Sequence, residues 1–127
     1  MEELILNQKK DSPEIICKDG FVSMKGNSIL ADPKAFFHPV TQWMEEYVTT
    51  HPESIVVELN FDYVDTASVQ SIFSILRLLK RIPGHEKSVV VNWHYELDDP
   101  ELLEVGEIMQ TRLKLNFNYI EQAPPEK

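Results

Sequence analysis

Short runs of apolar and β-branched residues, separated by turn residues, open the chain and predict β-strands. Two such runs, residues 14–18 and 21–25, flank Asp19-Gly20. An Asp-Gly pair in this setting is typical of a β-hairpin with a type I′ turn, in which both central residues take positive φ angles. The sequence therefore predicts a hairpin, and Gly26-Asn27-Ser28 is expected to end its second strand.

The next segment places apolar residues at intervals of three and four, which is the spacing of one face of an α-helix. Asp32 followed by Pro33 predicts an N-cap and the first helical residue. Pro39 falls inside this pattern, so a regular helix is expected only after it, and His51-Pro52 is expected to end the helix. The apolar face consists of Phe36, Phe37, Val40, Trp43, Met44, Tyr47 and Val48.

The rest of the chain alternates between β-strand and helix patterns. The predicted elements are a strand at 54–61, a connection at 62–65, a helix at 66–82, a strand at 87–93, a helix capped at Asp98-Asp99-Pro100 and a strand at 113–120. Such alternation implies a partly parallel sheet covered by helices. The expected fold is a single α/β domain over residues 1–127, with a mixed β-sheet, an N-terminal hairpin, about three helices and a flexible tail at 121–127.

Composition narrows the classes of function. The 127 residues carry 21 acidic and 12 basic side chains, for a formal net charge of −9, which disfavours nucleic acids and anionic membranes as partners. The single cysteine excludes an internal disulfide and favours a reducing compartment. The apolar runs are too short to span a membrane, and the N-terminus lacks the features of a signal peptide. A cytoplasmic protein is expected.

Candidate catalytic and metal-binding groups are few. Cys17 lies within a predicted strand, where a buried structural thiol is expected rather than a nucleophile. The four histidines lack the spacing of a zinc site, and His94 near Asp98 and Asp99 is the one candidate metal group. A strand end beside a capped helix explains these residues equally well. No glycine-rich phosphate loop is present, so we expect neither an enzyme nor a bound cofactor or metal.

An acidic run at the third helix has two interpretations. In the first turn of a helix, carboxylates interact favourably with the helix dipole. Glu104 and Glu107 lie beyond that turn. They form either a solvated face that keeps the protein soluble or a docking face for a basic partner. The run comprises Asp98, Asp99, Glu101, Glu104 and Glu107.

The junction between the buried strand at 54–61 and the helix at 66–82 is the most informative segment. Asp65 or Thr66 fits the role of helix cap, yet the helix carries more apolar surface than one core face requires. The expected core stripe, with Ile75 and Leu78 on its border, consists of Val69, Ile72, Phe73, Leu76, Leu79 and Ile82. Phosphorylation of a hydroxyl here would add about −1.5 to −2 charges at a helix N-terminus, which tolerates them. The candidate partner-binding surface consists of Asp65, Ala67, Ser68, Ser71, Ser74, Ile75 and Leu78.

Several motifs together carry a resemblance to a known family. A strand, a turn bearing Ser or Thr and a helix resemble the STAS-like anti-sigma-factor antagonists, and the whole chain more closely resembles the SiaC family of bacterial regulatory phosphoproteins. The matching segments are Gly26-Asn27-Ser28; the aromatic first helix with Pro33, Phe36, Phe37, Pro39, Trp43 and Tyr47; residues 61–68; Trp93-His94-Tyr95-Glu96-Leu97-Asp98-Asp99; and Glu104-Val105-Gly106-Glu107.

The resemblance implies a STAS-like fold and a phosphorylation switch. The family's phosphorylated threonine falls on Thr66, modified by a kinase of the histidine-kinase-like ATPase fold and restored by a PP2C-type phosphatase. The unphosphorylated form then binds and activates a diguanylate cyclase, which raises cyclic di-GMP and promotes biofilm or aggregation. Asp65 and Ala67 depart from the family's usual asparagine and serine. Because Asp65 resembles the aspartate before the target serine of the classical antagonists, Ser68 is a second candidate phosphosite.

Three functional hypotheses remain open on the sequence. The first is this non-enzymatic switch, which binds a cyclase or another signalling output through the Thr66 face. The second is a STAS-type anti-sigma-factor antagonist that controls transcription by partner switching. The third is a small enzyme or ligand carrier that uses the sheet edge near Trp93, His94 and Tyr95, although packing in the core and its rim explains these aromatic residues better.

Overall fold

Six β-strands form one sheet in which spatial order follows chain order. A computed structural model describes residues 1–123 of the chain. The strands are β1 (Leu4–Leu6), β2 (Glu14–Lys18), β3 (Phe21–Ser28), β4 (Ile55–Val64), β5 (Val89–Glu96) and β6 (Asn116–Gln122). The helices are α1 (Pro33–Val48), α2 (Thr66–Leu78), a single turn α3 (His85–Ser88) and α4 (Pro100–Leu113), with a 3-10 turn at Leu79–Arg81. The predicted mixed α/β fold is confirmed.

The long helices cover one face of the sheet. β1, β2 and β3 pair antiparallel, whereas β3 to β6 pair parallel and are joined by helical crossovers. Crossover connections between parallel strands are almost always right-handed. Because each crossover leads to the next strand in the same direction across the sheet, α1, α2 and α4 lie side by side on one face. Alternate residues of β4 are accordingly buried, whereas Val56 on the opposite face is exposed. The strand expected to be buried throughout is therefore buried on one side only.

The predicted hairpin is confirmed, but its turn is not type I′. Lys18 pairs with Phe21 across the turn, and only Gly20 has a positive φ angle, of 77°. The Tyr47 hydroxyl explains the geometry, since it accepts a hydrogen bond from Gly20 N at 2.7 Å and donates one to Asp19 Oδ1 at 2.8 Å. The expectation of two positive φ angles was wrong, because the Tyr47 side chain of α1 hydrogen-bonds to both turn residues.

Helix α1 is continuous through Pro39, which contradicts the expectation of a regular helix only after that residue. The expected cap is confirmed, because the Asp32 side chain accepts a hydrogen bond from Ala35 N at 3.2 Å. The buried face of α1 packs Phe37 and Met44 into the core. This packing holds the helix across a residue that cannot donate its backbone hydrogen bond.

The connection predicted at residues 62–65 does not exist. β4 continues to Val64, and Asp65 directly caps α2. β3 ends at Ser28, within the segment Gly26-Asn27-Ser28 that was expected to end it. The register shifts near the end of this strand pair: Gly26 pairs with Phe61 but Asn27 pairs with Tyr63, so β4 contains one additional residue. Such a bulge is not visible in the hydrophobic pattern.

Other boundaries also differ from the sequence expectations. β1 and α3 were not predicted, α2 gives way to a 3-10 turn after Leu78, and β5 and β6 each end later than expected. Glu121 and Gln122 belong to β6, so these two residues are not part of the flexible tail that was expected at 121–127. Its residues 124–127 lie outside the described part of the chain.

The core contains one tight contact between the sheet and α4. Trp93 is buried, and its indole Nε1 donates to Leu102 O at 3.0 Å. A Cβ atom on Gly106 would lie 2.7 Å from the Trp93 ring, so only glycine fits there. Trp93 is a packing residue, as expected for the aromatic residues of this segment.

Candidate functional site

The carboxyl ends of the parallel strands bring the predicted site residues to one edge of the sheet. β3, β4 and β5 each lead into a long helix at this edge, where open α/β sheets usually place their sites. An aspartate caps each helix: Asp32 accepts from Ala35 N, Asp65 from Ser68 N and Asp99 from Leu102 N. Three helix N-termini and their carboxylates thus lie at the same edge.

Asp65 joins α2 to the end of β3. Its Oδ1 accepts from Ser68 N at 2.7 Å and its Oδ2 from Leu30 N at 3.1 Å, while its own amide donates to Ser28 O at 3.0 Å. Partial desolvation acts to raise the pKa of Asp65, but the hydrogen bonds from Ser68 and Leu30 outweigh it and lower that pKa below its ordinary value. The carboxylate is therefore ionised at neutral pH.

Ser68 is fully buried beneath the first turn of α2. The Ser28 hydroxyl donates to Ser68 Oγ at 2.8 Å, and the Ser68 hydroxyl lies 3.3 Å from Ser28 O, to which it donates. Its relative exposure is 0%. A kinase would have to open this turn to reach Ser68, and a partner cannot contact it on the folded surface.

Thr66 is exposed as the first residue of α2. It lines a shallow depression of about 240 Å³ together with Tyr63, Asp65, Asp99 and Glu101. The threonine is thus accessible, and several carboxylates border it.

The outer face of α2 differs from its prediction at one position. Ala67, Ser71 and Ser74 line a groove of about 570 Å³ between α1 and α2, and Leu78 is half-buried. Ile75, expected at the border of the apolar stripe, is fully buried at 0% exposure, so its placement on a partner-binding surface was wrong. The buried face passes through Ser68, Ile72, Ile75, Leu76 and Leu79.

Two residues expected in that core stripe turn towards α4 instead. Val69 and Phe73 are half-buried and line a groove of about 330 Å³ with Val105, Ile108 and Met109 of α4. The buried face of α2 thus includes Ile75 and leaves Val69 and Phe73 at its border, because packing against α1 and α4 sets the rotation of the helix about its axis.

Cys17 is buried in β2, as predicted. Burial raises the pKa of its thiol to about 12, so the thiolate needed for nucleophilic chemistry is scarcely populated.

His94 contacts Glu58 on the open face of the sheet. Its Nε2 lies 2.6 Å from Glu58 Oε2, and Gln122 Nε2 lies 3.0 Å from its Nδ1. The metal group proposed with Asp98 and Asp99 is not formed. Within residues 1–123, no cluster of three or more histidine, cysteine or acidic side chains is placed to hold a metal ion.

Three exposed apolar residues at the carboxyl ends of the strands were not predicted as site residues from the sequence. Ile29 follows β3, Tyr63 lies near the end of β4 and Leu97 follows β5. Leu97 lies between Glu96 and Asp98, which is a signal by which it could have been found, whereas Ile29 precedes Leu30 and Tyr63 precedes Val64, so no such signal marks them. Glu104 and Glu107 are exposed on α4, and both interpretations of that acidic run remain.

The family model described as SiaC family regulatory phosphoprotein matches residues 6–122. The chain belongs to the SiaC family. The match extends from the end of β1 to the end of β6 and therefore includes the whole sheet and the α2 junction. Within residues 1–123, every helix is too short or too polar to traverse a bilayer.

Solved structures of SiaC proteins share the fold. The crystal structure of apo-SiaC from Pseudomonas aeruginosa superposes with a TM-score of 0.83 at 24% identity, covering 94% of this chain and 99% of the other. A second structure of P. aeruginosa SiaC gives 0.78 at 25% identity, covering 98% and 100%. SiaC also matches in the crystal structure of the diguanylate cyclase SiaD in complex with its activator SiaC, with a TM-score of 0.82 at 22% identity, covering 94% and 99%.

A sequence relative also comes from P. aeruginosa. An uncharacterised protein of P. aeruginosa strain UCBPP-PA14 is 26% identical over 107 residues, which cover 84% of this chain and 83% of that protein.

Proposed function

We propose that this SiaC-family chain is a non-enzymatic phosphorylation switch in the bacterial cytoplasm, with Thr66 as the modified residue. A Ser/Thr kinase of the histidine-kinase-like ATPase fold phosphorylates Thr66, and a PP2C-type phosphatase reverses the reaction. The contrast between two hydroxyls carries the proposal: Thr66 is exposed at the N-terminus of α2, whereas Ser68 is buried and hydrogen-bonded to Ser28. This contrast favours Thr66 over Ser68.

Two opposing electrostatic effects act on a phosphate at Thr66. The free N–H groups and the dipole of a helix N-terminus stabilise negative charge. Asp65, Asp99 and Glu101 border the same depression and repel it. The phosphoprotein is therefore expected to keep its fold while the depression gains charge and bulk.

The unphosphorylated form is proposed to bind and activate a diguanylate cyclase, which raises cyclic di-GMP and promotes biofilm or aggregation. Family membership and the SiaD–SiaC complex of P. aeruginosa support this step. The proposed contacts on α2 are Asp65, the exposed residues Ala67 and Ser74, and the half-buried residues Ser71 and Leu78. A phosphate at the start of that helix obstructs such contacts through its size and its desolvation cost.

Phosphate transfer from ATP is measured by intact mass, with the purified chain and its cognate kinase. The wild-type protein is expected to gain one phosphate that maps to Thr66, and Thr66→Ala to gain none. Thr111→Ala, which removes another exposed threonine hydroxyl on α4, is the matched control and should behave as wild type. Full incorporation in Thr66→Ala would refute the assigned site.

The output is identified by pull-down of the unphosphorylated chain against two purified candidates. Retention of the cognate cyclase, with loss of retention after phosphorylation, supports the proposal. Retention of an anti-sigma kinase without the cyclase would instead identify a STAS-type antagonist of transcription.

A further inference from the structure

We propose that the cyclase docks on an apolar surface at the carboxyl edge of the sheet, which we call the edge triad: Ile29, Tyr63 and Leu97. This inference rests on the proposed function, because it takes the diguanylate cyclase as the occupant. The three side chains are exposed by 46%, 56% and 64%. The matching cyclase surface is expected to offer apolar pockets bordered by lysine or arginine.

The fold places the three residues close together. They lie at the ends of β3, β4 and β5, which are neighbours in the sheet. Tyr63 pairs with Asn27, two residues before Ile29, and it lines a depression with Asp99, two residues after Leu97. An exposed apolar patch of this kind suits the centre of a protein interface, where a few anchor residues supply most of the binding energy.

The register shift between β3 and β4 explains the exposure of Tyr63. Paired residues on neighbouring strands share a face of the sheet, and Tyr63 pairs with Asn27 whereas Val64 pairs with Ser28. Ser28 is buried towards the helices, so Tyr63 is directed to the opposite side. Without the additional residue in β4, Tyr63 would follow Phe61 into the core face. Bulges commonly re-aim a side chain in this way.

The segments that carry the triad are held in place before any partner binds. Leu30 N, next to Ile29, donates to Asp65 Oδ2, and Leu97 N donates to Gln122 O at 3.2 Å. Tyr63 lies within the paired part of β4. A preorganised surface loses less conformational entropy on binding.

The charges around the triad select the chemistry of the partner. Six carboxylates lie within four positions of Tyr63 or Leu97 along the chain: Asp62, Asp65, Glu96, Asp98, Asp99 and Glu101. The basic residues Lys9, Lys10 and Lys34 lie near the ends of β1 and β3, on the Ile29 side. The acidic side of the triad, around Tyr63 and Leu97, complements a basic surface and accelerates its association.

Thr66 lies where the switch would control this surface. It borders the depression that Tyr63, Asp99 and Glu101 also line. A phosphate there would enter the contact between the triad and the cyclase, and it would have to lose its hydration as the interface closed. Burying such a charge without dedicated partners is unfavourable, so the surface accounts for the release of the phosphorylated form.

The test measures the dissociation constant of the cognate diguanylate cyclase for purified variants of this chain. Tyr63→Ser and Leu97→Ser are expected to weaken binding by at least about tenfold each, as for interface anchor residues. Ile5→Ser is the matched control, because Ile5 is 57% exposed on β1, the outermost strand of the sheet. This variant should change binding less than about twofold. Thermal unfolding verifies that each variant is folded.

The outcomes separate the surface from the function. If wild type binds and the two triad variants bind as well as Ile5→Ser does, the docking surface is refuted while the cyclase proposal stands. If wild type does not bind the cyclase, both proposals are refuted.

A second experiment tests the charge complementarity through the association rate. The triple variant Asp62→Asn, Asp98→Asn, Glu101→Gln changes the net charge from −9 to −6 and leaves the helix caps intact. Glu45→Gln, Glu46→Gln, Glu53→Gln makes the same change elsewhere, at exposed positions. Only the first triple should slow association, by about threefold to tenfold at low salt. Equal rates for the two triples would refute the basic partner surface.

Discussion

Asp65 is the residue on which the geometry of the junction depends. Its carboxylate caps α2 and also fixes the loop after β3 through Leu30 N. The same carboxylate lies beside the proposed phosphosite Thr66, so it both organises the site and opposes a second negative charge there. An asparagine at this position would retain the cap without the charge.

We expect Asp65→Ala to lower the free energy of unfolding by about 1–2 kcal/mol at pH 7, through loss of the cap. Asp65→Asn should cost less, because its amide oxygen still accepts a hydrogen bond. The hydrogen bonds hold the pKa of Asp65 below its ordinary value, so the stabilisation from the charge is complete above about pH 4 and is lost as the pH falls further. Urea unfolding at pH 7 and pH 3 measures both effects.

Asp62→Asn is the control for this experiment. It removes the same charge from an exposed position three residues earlier and should change the free energy of unfolding by less than about 0.5 kcal/mol. A stability difference between wild type and Asp65→Asn that is independent of pH would contradict the role assigned to the ionised carboxylate.

At the scale of elements, α1 tolerates an internal proline at a cost. Pro39 has no N–H for Ala35 O, yet the helix runs unbroken from Pro33 to Val48. Interior proline is about 3 kcal/mol less favourable than alanine in a helix. The burial of Phe37, Val40 and Met44 offsets this cost, and that is why a local rule failed here.

We expect Pro39→Ala to raise the free energy of unfolding by about 1–2 kcal/mol. The exposed alanine restores a backbone hydrogen bond without leaving a cavity, and the greater freedom of the unfolded chain opposes part of the gain. Chemical denaturation of wild type, Pro39→Ala and the exposed control Gln42→Ala measures the effect. Unchanged or lower stability in Pro39→Ala would show that the helix is not strained at this position.

The elements that the sequence predicted well have local signals. Asp32-Pro33 and Asp99-Pro100 mark helix starts by chemistry that acts within one turn. The elements it missed have none: β1 has only three residues and is a strand because it pairs with β2. The additional residue in β4 likewise follows from pairing with β3, which no single strand specifies.

The same distinction applies to the candidate site. The place of Thr66 at a helix start could be predicted, because a helix start after a buried strand is visible along the chain. The burial of Ser68 and Ile75 could not, because tertiary packing sets the rotation of a helix about its axis. A hydroxyl at a capping position is exposed or buried according to whether another strand end, here Ser28, lies against it.

At the scale of the whole molecule, Cys17 reports on global unfolding. It lies in β2 between β1 and β3, it is fully buried, and the pKa of its thiol is raised to about 12. We expect iodoacetamide at pH 8 to modify the native protein at least about a thousandfold more slowly than the unfolded chain, since native domains open globally only rarely.

Alkylation is followed by intact mass in native buffer and in 8 M urea. The native rate should rise with urea in parallel with the unfolding transition measured by circular dichroism. Rapid alkylation without denaturant would show that β1 detaches from the sheet independently, since β1 is the edge strand that covers β2.

The agreement between strand order and chain order has a consequence for protein synthesis. Each strand pairs with the one made just before it, so none has to insert between two strands that are already paired. The sheet can therefore form during synthesis, strand by strand, and few apolar surfaces stay exposed until a distant segment is made. The force on a stalled nascent chain should accordingly rise in steps, as β4, β5 and β6 emerge in turn. One late step would indicate that the sheet forms only after β6 has emerged.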